Sequence, residues 1–404
     1  MIKAYEYRIY PTPQQEELFD KTLGLCRLYW NISVANKNEN HKYELIGYKP
    51  TFEKYKPEAL EWKTEIDTNP LKNVSQDIRA AYNNFYSSLN GKRRGKFINS
   101  PKFKSKKNSK ESFRYCVEHK CIKIDKNGLF VSRKIGYIDI RASCRFCEGR
   151  WRNITFKRTP TGKWFIKICV EKKDEPKNNN GKAIGIDWNC DDKDFMTFSD
   201  GMKIKCPRFL KKKEKQLSHY QRELARRFVS GKEVQSNNYY KTKMKVAKLH
   251  EKVSWQRKDW LHKVSRDLAN KYEYVIVEDI NLQAMASGLN HGKAVGDGGF
   301  GMFRQMISYK TTLVKVNPKN TSKTCHNCGF VNPKVKIGIK QWICPVCGVS
   351  HDRDINAAQN ILSKGVTSLG IVPRELREIK NACGEPRSSV KQESVKSSCG
   401  VICE

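Results

Sequence analysis

The stretch WICPVCGVSHDRDINAAQNIL, residues 342–362, joins a CxxC pair to a cluster of carboxylates and then to apolar residues at helical spacing. A second CxxC pair, Cys325 and Cys328, precedes Cys344 and Cys347 with fifteen residues between the pairs. Each CxxC turn presents two thiolates, and two such turns complete a tetrahedral site. The spacing therefore predicts a zinc ribbon bound by these four cysteines.

The remaining metal-ligand types give no comparable pattern. His351 follows Cys347 closely enough to replace a thiolate, but four thiolates already close the site. Cys144 and Cys147 form another CxxC pair without a partner at ribbon spacing, although Cys116 and Cys121 lie upstream. We interpret these last four as ordinary thiols. Fifteen cysteines in all, an odd number, favour reduced thiols over a disulfide framework.

The balance of charge points to a polyanionic partner. Lys and Arg number 78 against 42 Asp and Glu, a formal net charge of +36. A chain this basic repels itself unless a polyanion balances it, so nucleic acid is the leading predicted partner. The alternative is a ribosomal-type or merely soluble basic protein, which would not require the arrangement of acids described below.

Length and hydropathy set the expected class. The 404 residues, of which 38% are hydrophobic, are enough for two to three domains with cores of their own. The start, MIKAYEYRIY, has neither a long apolar segment nor a small-residue cleavage site, and no run of eighteen apolar residues occurs. We expect a cytoplasmic protein.

The sequence pattern of the first half of the chain predicts a β unit interrupted by helices. Residues 4–10 alternate as a strand does, and apolar residues recur at helical spacing from Leu18 to Tyr29 and over Gln76–Leu89. The segments YIDIRA, NITFKRT and KWFIKICVE predict short strands. A polar stretch at 172–182 indicates a domain boundary.

A second core is predicted after this boundary. KAIGID is typical of a buried strand, and FMTFSDGMKI predicts two strands joined through Asp200-Gly201. Apolar stripes over 210–228 and 246–268 predict a helical hairpin, and residues 272–279 predict another buried strand. A further strand is expected near 313–316. From about residue 366 the composition is poor in apolar pattern and predicts disorder.

The loop GKRRGKFINSPKFKSKKNSK, residues 91–110, has nine basic residues and no acidic one, with Phe97 and Phe103 between them. Such a run can be only a solvated loop, but basic and aromatic side chains together suit contact with backbone phosphates and bases. The predicted nucleic-acid contacts are Arg27, Gln76, Lys92, Arg93, Arg94, Lys96, Lys102, Lys104, Lys106 and Lys107.

Three separated acids follow or precede predicted core elements. Asp187 and Glu278 end predicted buried strands, and Asp354 opens the helix after the ribbon. If the fold brings them together, divalent cations are needed to neutralise them, and oxygen ligands favour Mg²⁺ or Mn²⁺. Spacing alone leaves other acids in competition for these roles: Asp279, Asp352, Asp191, Asp192 and Asp194.

Several motifs in order carry a resemblance to a known family. YRIYPTPQQ, AYNNFY with the basic loop, KAIGIDWN, YVIVEDINL, TSKTCHNCG and WICPVCGVSHDRDINAAQNIL together resemble the TnpB family of insertion-sequence proteins, which is related to the type V CRISPR nucleases. The resemblance extends to about residue 365 and is most specific from Asp187 onward. One departure is WNCDDKDF after Asp187, which is more acidic than the usual glycine-containing version.

The resemblance implies a multidomain α+β protein built around a RuvC-type RNase H fold. It identifies Asp187, Glu278 and Asp354 as the catalytic acids and Mg²⁺ or Mn²⁺ ligands, in preference to Asp279 and Asp352. The implied domains are a wedge-like β domain at 1–15 and 105–180, a helical recognition segment at 16–104, a nuclease core at 181–320 with a helical insertion at about 207–268, a zinc ribbon at 321–350, a last core helix at 351–365 and a disordered tail at 366–404.

The implied activity is RNA-guided cleavage of double-stranded DNA beside a short target-adjacent motif, by a two-metal mechanism with a guide RNA from a transposon end. The working unit is expected to be a monomer with its RNA. Two alternatives stay open: a compact type V CRISPR effector with a repeat-derived guide, and an RNA-guided DNA-binding regulator that does not cut. The intact acids argue against the regulator, and nothing in the sequence favours a DNA-joining transposase.

Overall fold

The computed structural model divides into two compact units. One comprises residues 1–175 with 227–248, and the other comprises 176–226 with 249–404. The described residues are 2–40, 48–93, 95–106, 111–117, 122–141, 146–173, 177–189, 194–284, 292–336 and 338–370.

The first unit is organised around a seven-stranded antiparallel sheet with the order β2-β6-β7-β1-β5-β4-β3. Its strands are β1 (Ile2–Tyr10), β2 (Ser112–Cys116), β3 (Lys123–Asp125), β4 (Gly128–Phe130), β5 (Tyr137–Arg141), β6 (Arg150–Arg158) and β7 (Trp164–Glu171). The strands predicted from residues 4–10, YIDIRA, NITFKRT and KWFIKICVE are all present. In β7, buried residues alternate with half-buried ones, because successive side chains of a strand point to opposite faces.

Helices cover this sheet with aromatic side chains. They are α1 (Pro13–Asn40), α2 (Tyr48–Tyr55), α3 (Glu58–Glu65) and α4 (Asn69–Leu89). Phe19 of α1 is fully buried, with its ring centroid 4.9 Å from that of Trp164 and 5.3 Å from that of Phe156. The prediction that the second helix begins at Gln76 was wrong. Helix α4 begins at Asn69 because Pro70 suits a first helical turn and Leu71 packs into the core.

The second unit contains a five-stranded sheet with the order β10-β9-β8-β11-β12. The strands are β8 (Ala183–Trp188), β9 (Asp194–Phe198), β10 (Lys203–Lys205), β11 (Tyr274–Glu278) and β12 (Thr312–Val316). β8 pairs in parallel with β11 and antiparallel with β9, and β11 pairs in parallel with β12. Every strand predicted for this half is present, including the hairpin through Asp200 and Gly201, where Gly201 adopts a positive φ of 87°.

The helices of the second part of the chain are α5 (Phe209–Arg227), α6 (Asn237–Lys271), α7 (Gly292–Gly298), α8 (Phe300–Ser308) and α9 (Arg353–Leu369). The two stripes predicted as a hairpin correspond to α5 and α6, and α6 continues three residues beyond the predicted limit of 268. Aromatic packing anchors one face of the sheet, where Phe195 stacks on Phe300 with ring centroids 4.9 Å apart. No described helix is long and apolar enough to cross a membrane.

Between β12 and α9 lies a small two-stranded sheet of β13 (Gln341–Ile343) and β14 (Ser350–Asp352). Helix α9 then continues past residue 365, so the prediction of disorder from residue 366 was wrong for its first residues. The helix ends at Leu369, where Gly370 takes the left-handed conformation with φ 63° and stops it. Residues 371–404 lie outside the described residues.

Candidate active site and cysteine cluster

Two of the predicted acids lie on neighbouring parallel strands. Val277 of β11 pairs with Ile186 of β8, and Glu278 and Asp187 are the next residues of these strands. Because parallel strands run in the same direction, both acids reach the same edge of the sheet. Asp187 is half-buried and Glu278 is buried, with 6% of its surface exposed.

The structure separates Glu278 from its neighbour Asp279. Asp279 is more than half exposed, and its carboxylate lies 3.1 Å from the Lys315 ammonium and 3.7 Å from the Arg304 guanidinium. Asp279 lies just beyond the end of β11, whereas Glu278 is the last residue of that buried strand. Glu278 Oε1 accepts a short hydrogen bond from the Thr321 hydroxyl.

Asp352 and Asp354, at the start of α9, also have different environments. Asp352 is the N-cap, and its Oδ1 accepts hydrogen bonds from the backbone N–H groups of Asp354 (3.0 Å) and Ile355 (3.1 Å). Its other oxygen lies 2.8 Å from the Lys203 ammonium. Asp354 is 8% exposed and lies 3.3 Å from the Lys340 ammonium. Asp352 therefore orients the helix, while Asp354 stays buried in its first turn.

Close packing of α9 against the sheet brings Asp354 to the strand acids. A Cβ added to Gly185 of β8 would lie 2.2 Å from the carbonyl oxygen of Ala358 and 2.7 Å from the backbone nitrogen of Leu362. A Cβ on Gly365 would likewise lie 2.4 Å from the side chain of Ile276 of β11. The absence of a side chain at both glycines allows the helix to approach both strands that end in an acid.

The electrostatics of the three acids are coupled. Burial raises the pKa of Asp187 well above its ordinary value, and the negative charges of Glu278 and Asp354 raise it further, while the nearby charge of Arg353 lowers it. Burial also raises the pKa of Glu278, against the opposing effect of the hydrogen bond from Thr321. The fold thus brings Asp187 within range of the negative charges of two acids from distant parts of the chain.

The four ribbon cysteines form a second and tighter cluster. The Sγ atoms of Cys325, Cys328, Cys344 and Cys347 all lie within 4.8 Å of one another. Among the described residues no such group is formed by the three acids, whose oxygens are spread more widely. Four thiolates around one centre fit Zn²⁺.

The backbone prepares both cysteine turns in the same way. The amide of Gly329 donates to the carbonyl of Cys325, and the amide of Gly348 donates to the carbonyl of Cys344, each at 2.9 Å. Both glycines have positive φ, 78° and 71°, which a residue without Cβ adopts readily. The backbone N–H of Val349 lowers the pKa of the Cys347 thiol to about 6, so a thiolate is favoured there at neutral pH.

His351 is a neighbour of the cluster. Its Nε2 lies 3.0 Å from Cys325 Sγ, its side chain is buried, and its ring packs on Trp342 with centroids 4.7 Å apart. This contact fits a hydrogen bond to the Cys325 sulfur from outside the set of four ligands. The other described cysteines of the predicted upstream set do not join this cluster. Cys116 Sγ contacts Asn73, and Cys147 is buried. Cys121 and Cys144 lie outside the described residues.

The predicted nucleic-acid contacts fall on the first unit. Lys92, Arg93, Lys96, Lys102, Lys106 and Gln76 are exposed, whereas Arg94 and Lys107 lie outside the described residues. Arg27 and Lys104 line one cleft of about 470 Å³ beside α1, α4 and β2.

Two residues of α1 fasten the basic loop. Asn31 exchanges two hydrogen bonds with the backbone of Lys104 at 2.8 and 2.9 Å, and the Trp30 indole donates to the carbonyl of Lys102 at 3.0 Å. The Lys104 ammonium lies 3.4 Å from the centroid of the Trp30 ring. Lys104 is exposed like Lys102 and Lys106, but a cation–π contact holds its side chain.

Several site residues were missed by sequence reasoning. Lys340 and Thr321 reach the acids from loops whose sequence shows no periodic pattern, so only the folded chain identifies them. Asp191 and Asp192 lie outside the described residues. Gly185 did carry a signal, because a glycine inside an apolar strand indicates close approach of another backbone.

Three family models match parts of this chain. Residues 167–288 match a family model described as "Probable transposase", residues 300–361 match "Cas12f1-like, TNB domain", and residues 1–44 match "Helix-turn-helix domain". The described part of residues 1–44 forms the strand β1 and the single long helix α1, so the last description does not apply literally here.

Two relatives match almost end to end. A Streptomyces pristinaespiralis protein named "Putative RNA-guided DNA endonuclease" is 29% identical over 99% of this chain and 98% of its own length. The Escherichia coli K12 protein named "Putative RNA-guided DNA endonuclease InsQ" is 28% identical over 90% of this chain and 92% of its own length.

Among solved structures, the cryo-EM structure of the Cas12f1-sgRNA-target DNA complex matches with a TM-score of 0.51, covering 89% of this chain and 98% of that one at 12% identity. This chain therefore has a mixed α/β multidomain fold similar to that of Cas12f1. Its sequence is similar to those of proteins named RNA-guided DNA endonuclease and of TnpB-like proteins.

Proposed function

We propose that this protein is an RNA-guided endonuclease that cuts double-stranded DNA beside a short target-adjacent motif, with a guide RNA from a transposon end. The observation that carries the proposal is that Asp187, Glu278 and Asp354, from β8, β11 and α9, lie close enough together for the charges of Glu278 and Asp354 to raise the pKa of Asp187. Acids placed at such cost are typical of a functional site. The names of the two full-length relatives support the same activity.

We further propose that the second sheet is the core of a RuvC-type RNase H fold. Support comes from its strand order, in which β8 and β11, the strands that carry Asp187 and Glu278, are adjacent at the centre of the sheet. Residues 321–350 would be its zinc ribbon, and α5 with α6 its helical insertion. Residues 1–15 and 105–180 would form the wedge and residues 16–104 the recognition segment.

The acid site fits magnesium or manganese. All three candidate ligands offer carboxylate oxygens, which these ions prefer, and the raised pKa values of Asp187 and Glu278 indicate charge that a cation would stabilise. When bound, a pair of such ions activates water and stabilises the leaving oxygen of a phosphodiester. The cysteine cluster, with four sulfurs, fits Zn²⁺ in a structural role.

The chain's own groups organise this chemistry. Asp187 and Glu278 hold fixed positions on paired strands, and the Asp352 cap orients the turn that carries Asp354. Lys340 and Arg353 add positive charge beside the acids, where a phosphate of the bound strand would lie. The excess of basic residues would bind guide and target through phosphates, while base pairing with the guide chooses the sequence.

The test begins with the RNA. The full-length protein is purified with its co-expressed RNA, that RNA is sequenced, and a duplex library is built with the matched target and randomised flanks. We expect Mg²⁺-dependent cleavage beside one flanking motif, and an RNA that derives from a transposon end. A repeat-derived RNA would instead indicate the CRISPR effector.

The matched variants are Asp187→Ala and, as control, Asp279→Ala, which removes an exposed acid next to Glu278. Asp187→Ala should retain the RNA and bind the matched duplex without cutting it, and Asp279→Ala should cut. Cleavage by Asp187→Ala at the wild-type rate would overturn the assignment of the site. Binding without cleavage by the wild-type protein at any Mg²⁺ concentration would identify the non-cutting regulator.

A further inference from the structure

Helix α9 carries a polar stripe that none of the proposed catalytic steps uses. Asn356, Asn360 and Lys364 are spaced four residues apart, so they lie on one face of the helix. Asn356 and Asn360 are only 2% and 7% exposed. Buried amides of this kind are costly unless they find hydrogen-bond partners.

Their partners are backbone carbonyls of a single loop, residues 317–324. Asn356 Nδ2 donates to the carbonyl of Thr324 at 2.8 Å, and Asn360 Nδ2 donates to the carbonyls of Thr321 at 2.8 Å and Thr324 at 2.7 Å. The Lys364 ammonium donates to the carbonyls of Lys319 at 2.7 Å and Asn317 at 3.3 Å. The side chains of α9 therefore replace the regular secondary structure that the loop lacks.

The same loop contacts the acid site through one hydroxyl. Thr321 is 4% exposed, and its Oγ1 donates a short hydrogen bond to Glu278 Oε1. The carbonyl of Pro318 is a second acceptor, at 3.1 Å, but the carboxylate is closer and carries charge. One oxygen of Glu278 is thereby oriented by a residue 43 positions away in the sequence.

The loop continues directly into the cysteine cluster. The backbone N–H of His326, between Cys325 and Cys328, donates to Asn356 Oδ1 at 2.9 Å. The helix that presents Asp354 thus holds, through the same stripe, both the loop that orients Glu278 and the first cysteine turn. A displacement of that loop would move one acid relative to the others.

We propose that Thr321 is a positioning residue for the acid site. Held against α9 by Asn360, its hydroxyl orients Glu278 for the binding of a divalent cation. This inference rests on the proposed function, because it takes Glu278 to be a ligand of Mg²⁺ or Mn²⁺. Partners that orient a metal ligand typically contribute 10–100-fold to metal affinity.

The test measures metal binding rather than cleavage. Free Mn²⁺ is measured by electron paramagnetic resonance during titration into the full-length protein, and the Asp187→Ala variant defines binding outside the acid site. The key variant is Thr321→Val, which has nearly the same shape without the donor. Thr324→Val is the matched control, because the Thr324 hydroxyl donates to the carbonyl of Asn320, at 2.8 Å, and has no contact with Glu278 among the described hydrogen bonds.

We expect Thr321→Val to weaken site-specific Mn²⁺ binding by about 10-fold or more, and Thr321→Ser to restore it because serine keeps the hydroxyl. Thr324→Val should bind as the wild-type protein does. Thr321→Ala, which introduces no new methyl group, should behave as Thr321→Val does. If Thr321→Val lowers the thermal midpoint of unfolding, Thr321→Ala is used in its place.

Two results would overturn the inference in distinguishable ways. If the wild-type protein binds no more Mn²⁺ than Asp187→Ala does, the metal site itself is absent and the proposed function fails with it. If the wild-type excess is present but Thr321→Val and Thr321→Ala retain it in full, the acid site stands and the positioning role of Thr321 is wrong.

Discussion

Replacement of Gly185 by alanine should disable the acid site without changing any acid. The added Cβ would lie 2.2 Å from the carbonyl oxygen of Ala358. Ordinary contact for such atoms is about 3.4 Å or more, so α9 and β8 must separate by about 1 Å. The obstacle is helix backbone, so no side-chain rotation can relieve it. Overpacking of this kind costs about 1–3 kcal/mol in the free energy of unfolding.

The displacement should reach the chemistry. Asp354 lies one helical turn before Ala358, and a helix moves as a nearly rigid body over that distance. A misplacement of about 1 Å at a reacting centre can lower the rate about 100-fold. The assay compares single-turnover cleavage of a matched duplex and the thermal midpoint of unfolding. Gly185→Ala should cut about 100-fold more slowly and unfold at a lower temperature.

Two other glycines provide a graded comparison. Gly24 lies within α1 with no atom within 4 Å of an added Cβ, so Gly24→Ala should leave cleavage unchanged. Gly365→Ala should have an intermediate effect, because the added Cβ meets the side chain of Ile276 rather than backbone, and alanine favours the helix. Two results together would refute this account of how α9 packs on β8. Gly185→Ala would cut within about twofold of the Gly24→Ala rate, a far smaller loss than 1 Å of misplacement implies. Its thermal midpoint of unfolding would also be unchanged.

Three further predictions concern the two clusters. Cys344→Ser should lose zinc, because it removes one of four converging sulfurs; a full equivalent of zinc by elemental analysis of the purified variant would contradict the ribbon. Glu278→Gln should abolish cleavage while Asp279→Asn retains it, since Asp279 is exposed and paired with Lys315; equal losses in the duplex assay would contradict this distinction. In metal-free buffer, Asp187→Asn should raise the thermal midpoint of unfolding at neutral pH. Because the pKa of Asp187 is raised in the folded state, that state binds a proton more tightly than the unfolded state does. The free energy of unfolding of the wild-type protein therefore falls as pH rises from about 4 through the folded-state pKa. The difference should vanish below about pH 4, where both states are protonated, and a lower midpoint for the variant in scanning calorimetry at pH 7 would be the contrary result.

Elements with a strong local pattern were predicted well. The strands β5, β6 and β7 and the helices α5 and α6 follow from alternation and helical stripes, because side-chain periodicity depends on the neighbouring residues alone. The start of α4 was placed too late, and α2 and α3 were not predicted. These helices are short, eight residues each, and they depend on tertiary packing, as the fully buried Phe52 and Ala59 indicate.

The cysteine spacing and the positions of most strands along the chain were determined by the sequence itself, since a CxxC turn and an apolar strand are local features. The choice among competing acids was different. From local pattern alone, Asp352 and Asp354 were equivalent, as were Glu278 and Asp279, and only the resemblance to a family separated them.

The tertiary structure supplies the physical reason for that choice. Asp352 is used to cap α9, and Asp279 is turned to solvent beside Lys315. Glu278 and Asp354 are buried because β11 adjoins β8 and α9 packs on Gly185. The hold of Thr321 on Glu278 spans 43 residues of sequence. Contacts between residues so far apart in sequence depend on which elements pack together, and a local pattern of residues does not predict that packing.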